Sequence, residues 1–135
     1  MTLRILAIEP YYGGSHQAFL DGWIANSVHT WDTITLPPHS WKWRMRHAAV
    51  TLARRVGRLP VPNVILTSEF LNVAEFAGML PPVWQRVPRV IYFHENQLTY
   101  PVTDEAERDY QYAFTHLTSI LASRAAFFNS RFHLD

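Results

Sequence analysis

Short apolar runs alternate along this chain with longer stretches whose apolar residues recur every three or four positions. Leu3 to Ile8 is the first run, and Glu9-Pro10-Tyr11-Tyr12-Gly13-Gly14-Ser15 breaks it. From Ser15, a residue type suited to an N-cap, Phe19, Leu20, Trp23 and Ile24 take helical spacing, so the opening predicts strand, glycine turn, helix. A second strand is predicted at Thr33 to Leu36, ended by Pro37-Pro38, with a surface loop over Pro37 to Trp43. Between Arg44 and Arg58, Met45, Ala48, Ala49, Leu52 and Val56 form one helical stripe. Arg44, His47, Thr51, Arg55 and Arg58 lie roughly opposite, giving an amphipathic helix with a basic back that Pro60 and Pro62 stop.

Val64 to Ser68 predicts a buried third strand. Asn72 with Glu75 forms a capping box, and Leu71 is placed to staple against Phe76. After Pro81-Pro82 and Pro88, Val90 to Phe93 is the fourth strand. Asp104 and Glu107 suit a second capping box. Tyr110, Ala113, Phe114, Leu117, Ile120 and Leu121 then predict the core face of a helix, and Ala126 to Phe128 a fifth strand. Strands that are apolar throughout and alternate with helices belong to a parallel sheet covered on both faces. The expected fold is therefore α/β, a Rossmann-like parallel sheet of about five strands with helices on both faces.

Composition narrows the class. The 135 residues make one domain's length, and 48% apolar with 17% charged is a globular balance. No apolar run approaches the roughly 20 residues of a membrane span. The N-terminus lacks the pattern of a signal peptide. The absence of cysteine excludes disulfides and thiolate metal sites and fits a cytoplasmic setting. Eleven of the twelve cations are Arg, with Lys42 the exception. Arg suits bidentate contact with phosphate, although a GC-rich genome gives the same bias.

In an open parallel sheet, ligands bind beyond the carboxyl ends of the strands. That rule gathers Glu9, Gly13, Gly14, Ser15 and His16 after the first strand, Ser68 and Glu69 after the third, His94, Glu95, Asn96 and Gln97 after the fourth, and Asn129, Ser130 and Arg131 after the fifth. Gly13-Gly14 opens a helix N-terminus to an anion, or simply serves a tight turn needing positive φ. The dinucleotide fingerprint and the Walker A loop are missing. His94-Glu95 lacks the second His of a zincin, and the acids from Asp104 to Asp109 lack the D-x-D pair that holds a metal-bound diphosphate. Trp41-Lys42-Trp43-Arg44-Met45-Arg46 interleaves aromatics and cations, a pattern for stacking on bases or sugars and gripping phosphate.

Five strings together resemble a known family: Tyr12-Gly13-Gly14-Ser15-His16, the Trp41 to Arg46 segment, Tyr92 to Leu98 with Tyr100-Pro101, Glu107 to Tyr112, and Phe128-Asn129-Ser130. They resemble the N-terminal domain of the tRNA-queuosine α-mannosyltransferases and their bacterial relatives, a branch of the family 4-like, retaining glycosyltransferases of GT-B architecture. The resemblance covers essentially the whole chain. It implies transfer of mannose from GDP-mannose, as nucleotide-sugar substrate, to queuosine in a tRNA anticodon, without cofactor or metal. It implies that Gly13 and Gly14 approach the donor diphosphate and that His94 lies near the reacting sugar as the catalytic residue, while Ser15, His16, Glu95, Asn96, Gln97 and Ser130 are cleft candidates from their place beyond the strand ends. Trp41, Lys42, Trp43, Arg44, Arg46, Arg55 and Arg58 are the acceptor and RNA-binding candidates.

The same resemblance implies that residues 1–135 are a single acceptor-side domain. Its partner, a C-terminal donor-binding domain, lies outside this chain, and the fragment alone is expected to be inactive. Two other readings stand beside it. One is a stand-alone RNA-binding module using Trp41 to Arg58, and the other a small-ligand regulatory domain. A transferase acting on a different acceptor is a variant of the first.

Overall fold

The computed structural model describes residues 1–94 and 110–130. The elements are β1 (Arg4–Glu9), α1 (Gly14–Ala25), β2 (Thr30–Thr35), α2 (Trp41–Ala53), β3 (Val64–Ser68), α3 (Val73–Gly78), β4 (Arg89–Phe93), α4 (Tyr110–Leu121) and β5 (Ala125–Phe128), with 3-10 turns at Val56–Arg58 and Pro82–Arg86. The five strands form one sheet in the order β2-β1-β3-β4-β5, and every pairing is parallel. This is the expected α/β, Rossmann-like arrangement. From β1 the chain steps outward to β2, then crosses back to β3 and continues the other way. The topological switch point therefore falls between β1 and β3, where a crevice opens beyond the strand ends.

Period-two alternation divides the strands between two cores. Leu6, Ile8, Ile65, Ile91 and Phe93 face α2 and α3, packing with Ala48, Ala49, Leu52, Val56, Leu71 and Phe76. Ile5, Ala7 and Leu66 face α1, packing with Leu20 and Ile24. The predicted stripe Met45, Ala48, Ala49, Leu52, Val56 is buried as expected. Asn72 Oδ1 accepts the Glu75 N–H at 3.1 Å, the capping half of the expected box.

Four local expectations change. Strand β2 begins at Thr30 rather than Thr33, pairing Arg4↔Thr30 onward; an edge strand needs few apolar residues, and Ile34 is its buried one. Ser15 is not an N-cap, because Gly13 caps α1 and Gly14 takes the positive φ of 52°. Trp41 to Trp43 are helical rather than part of the surface loop. Ser40, at φ 55°, turns the chain sharply enough for α2 to start at Trp41, before Arg44.

Helix α4 is rotated from its predicted face: Phe114, Leu117 and Leu121 are exposed, while His116 and Ser119 are buried. The small Ser119 lets α4 approach α3 closely. Its hydroxyl accepts the Val73 N–H at 3.0 Å and donates to Leu71 O at 3.3 Å. That satisfies an orphan donor in the first turn of α3. The second capping box, Asp104 with Glu107, lies outside the described residues.

Candidate functional site

At the switch point the sheet ends in acids. β1 ends in Glu9, and β3 ends in Ser68 with Glu69 immediately beyond; all three are buried. Glu9 Oε2 accepts the Ser68 hydroxyl at 2.7 Å and the Tyr11 N–H at 3.1 Å. Its Oε1 lies 2.7 Å from His16 Nδ1, on the first turn of α1. His16 Nε2 in turn faces Glu69 Oε1 at 3.8 Å. One imidazole thus sits between two buried carboxyl groups, each at the end of a different central strand.

His94 follows β4 and completes the cluster. Its backbone N–H donates to Glu69 Oε2 at 3.2 Å. Its ring stacks on His16 with centroids 3.9 Å apart, and the edges of Phe19 and Tyr92 stand 5.0 and 4.8 Å away. Phe70 stacks on the other side of His16 at 4.9 Å. Burial, helped by the charge of His16, lowers the His94 pKa to about 3, so at neutral pH it is an uncharged imidazole with one donor and one acceptor. Burial raises the Glu69 pKa to about 8, with His16 pulling the other way. A neutral His94 beside a protonated Glu69 keeps this edge from repelling an anionic ligand.

Ligand atoms of Glu9, His16 and His94 lie within 4.8 Å of one another, close enough for a cation by distance. Ring orientation argues against a shared ion. Imidazole lone pairs lie in the ring plane, and these two rings are stacked only 30° from parallel. Their lone pairs run along neighbouring sheets rather than toward one point, and Glu9 already engages His16 Nδ1.

The remaining candidates sort into groups. Gly13 adopts an extended backbone, and a Cβ there would lie 2.4 Å from Pro38 Cβ, so this glycine is fixed by packing against the loop before α2. Gly14 and Ser15 are exposed at the N-terminus of α1, where unpaired amides point outward. His16 is not a cleft residue: at 6% exposure it lies beneath the edge and braces it. Asn129 accepts a hydrogen bond from the Tyr92 hydroxyl at 3.0 Å, and Ser130 is exposed beside it. Glu95, Asn96, Gln97 and Arg131 lie outside the described residues.

The aromatic-basic segment splits. Trp41 turns inward against Phe70 and Tyr112, with the Lys42 ammonium 5.6 Å over its ring. Trp43 is exposed. Arg44 is not on the basic back, because its guanidinium donates to Pro37 O at 3.2 Å and lies against His39. Arg46 lines a polar pocket of about 240 Å³ with Asn72, Glu75, Gln111, Tyr112 and Thr115. Arg55 and Arg58 lie past the end of α2 and line a separate groove.

The family described as tRNA-queuosine alpha-mannosyltransferase N-terminal matches this sequence over residues 4–135. The chain belongs to that family. A tRNA-queuosine alpha-mannosyltransferase from Drosophila melanogaster is 39% identical over 133 residues, covering 98% of this chain and 35% of the relative. The chain thus spans about a third of that relative's length. No solved structure matches.

Within this member of the family, sequence reasoning placed Glu9, Ser68 and Glu69 on the correct edge but gave them no role. The signal was present: two apolar strands each run directly into a glutamate, at Ile8-Glu9 and Ser68-Glu69. A buried acid at adjacent strand ends needs a partner, and His16 is the one that fits.

Proposed function

We propose that this chain is the acceptor-side domain of a retaining, GT-B mannosyltransferase that moves mannose from GDP-mannose to queuosine in a tRNA, in the cytoplasm. The observation that carries the reading is His94, held neutral and fixed in orientation at the switch-point edge, in a chain that belongs to this family. In the transfer, the bond between the sugar's C1 and the diphosphate oxygen breaks while C1 bonds to an acceptor hydroxyl, whose proton passes to the departing diphosphate oxygen. A neutral imidazole donates one hydrogen bond to the sugar without adding charge. The amides of Gly14 and Ser15 give the departing diphosphate a positive helix end.

Its main cationic partners belong to a donor-binding domain beyond these residues, and no metal is needed. The polar pocket beside Trp41, with Glu75, Gln111 and Thr115, suits a hydroxylated acceptor ring.

The test is His94→Ala in the complete polypeptide, scored as labelled mannose transferred to queuosine-containing tRNA. Turnover per folded molecule is expected to fall about 100-fold. Undiminished turnover per folded molecule overturns the reading. The 135 residues alone are expected to fold without transferring sugar, and measurable transfer by them overturns the two-domain account.

A further inference from the structure

Outside the edge described above, the most unusual feature is electrostatic. From Thr33 to Ser68 the chain carries Lys42, Arg44, Arg46, Arg54, Arg55 and Arg58 and no acid at all, while the rest carries six cations against eleven acids. A net charge of +1 therefore conceals a strongly positive flank.

The structure concentrates half of that charge in one place. Arg54 caps the end of α2, Arg55 follows it, and Arg58 closes the 3-10 turn. All three are exposed. With Thr33 and Thr35 of edge strand β2 they line a groove of about 620 Å³. None of the three forms an ion pair among the described residues. Asp32, the acid on that strand, is already held by Arg4 Nη1 at 2.8 Å, so it does not neutralise the groove.

We infer that this groove binds the phosphodiester backbone of RNA, using Arg54, Arg55 and Arg58 as guanidinium forks. Guanidinium meets phosphate with two parallel hydrogen bonds. The lining contains no aromatic ring on which a base could stack, so the grip is on the backbone and indifferent to sequence. The groove lies along the outer edge of the sheet, away from the switch point where a nucleotide-sugar is expected. Helix α2 is 13 residues, about 20 Å, long and carries Lys42 and Arg46 near its other end.

The inference rests on the tRNA reading above only for the source of the polyanion. It is tested with an unmodified tRNA transcript, which offers phosphates but no queuosine, bound to the complete polypeptide across 50 to 200 mM KCl. Each phosphate contact contributes about 0.7 to 0.9 to the slope of log affinity against log salt. The R54A/R55A/R58A variant is expected to lose at least tenfold in affinity and about two units of slope, equally for an unrelated RNA hairpin. The corresponding triple Lys variant should keep most of the slope.

Wild-type affinity and slope in the triple Ala variant, or no transcript binding by the wild type, overturns the inference. Mannose transfer at saturating queuosine-tRNA, measured on the same preparations, separates the two readings. Transfer by an enzyme whose RNA binding ignores the three arginines removes the groove and keeps the function. Arginine-dependent RNA binding without transfer keeps the groove and removes the function.

Discussion

The switch-point cluster and the arginine groove sit on the same sheet and are built by opposite means. At the switch point, Glu9, His16, Ser68 and Glu69 are buried, and nearly every polar atom is held by another. In the groove, Arg54, Arg55 and Arg58 are exposed and unpaired by any acid among the described residues. Burial fixes geometry and tunes proton affinity but makes each group indispensable to the fold. Exposure leaves stability nearly indifferent to the groups and reserves their charge for a partner. Substitutions should therefore cost stability at one site and binding at the other.

The largest stability effect is expected at Glu9. Glu9→Ala leaves the Tyr11 N–H, the Ser68 hydroxyl and His16 Nδ1 without their acceptor in a dry site. Removing one partner from a buried charged network costs about 3–5 kcal/mol. Denaturant unfolding should show that loss for Glu9→Ala and a smaller one for Glu9→Gln, which keeps one acceptor oxygen. A loss below about 1 kcal/mol for the Ala variant would mean that the cluster is not as closed as its hydrogen bonds imply.

Gly13→Ala comes next, and it acts through sterics alone. The backbone at Gly13 is extended and tolerates any residue, but the new Cβ would lie 2.4 and 2.5 Å from Cβ and Cγ of Pro38. A proline ring cannot swing aside, so overpacking should cost about 1–3 kcal/mol. Pro38→Gly in the same chain should restore most of it. Failure of that rescue would place the need for glycine elsewhere, such as close approach by a ligand.

How much of this was readable from the chain depends on which physical rule applied. Strands β3 and β4 were legible because a fully buried parallel strand has few alternatives to a continuous apolar run. Helix α4 was misjudged because apolar counting favoured Phe114, Leu117 and Leu121, whereas a small serine able to bond α3 decided which side faced inward. His94 was legible as a polar residue after a strand. Glu9 and Glu69 were placed but not understood, since their meaning lies in a contact with His16 that crosses between elements. The basic back read from helical spacing is rearranged in the fold: Arg44 folds back onto its own loop, and Arg54 lines the groove with Arg55 and Arg58.

Acid and alkali should each lower stability, through different groups. His94 and His116 have folded-state pKa values lowered to about 3 and about 4 by burial. Their contribution is present above the unfolded value of 6.5 and is lost as pH falls toward those values. Glu69 is raised from 4.5 to about 8, so its contribution is present below 4.5 and is lost as pH rises through 8. Between 4.5 and 6.5 two histidines gain while one glutamate loses; above 6.5 the glutamate's loss continues alone. These groups together place maximal stability near pH 6.5. His94→Gln should reduce the acid-limb slope by up to one proton, and Glu69→Gln should flatten the decline between 6.5 and 8. Unchanged slopes in both variants would show that the two groups titrate as they do in the unfolded chain.

The smallest effect belongs to the groove, and its smallness is the point. Arg54, Arg55 and Arg58 form no ion pair among the described residues, so R54A/R55A/R58A removes no partner from the fold. Surface substitutions of this kind fall within about 0.5 kcal/mol of neutral. The sign is also fixed: three like charges within five residues repel, and alanine relieves that repulsion. Charges several ångströms apart feel one another strongly at 0.01 M salt, where the Debye length is about 30 Å, and weakly at 0.15 M, where it is about 8 Å. The triple variant should therefore unfold slightly later than wild type at low salt, and the two should converge as salt is added. A loss of more than about 1 kcal/mol that persists at 0.15 M would assign the arginines a structural role, and the contrast with the switch-point cluster would fail.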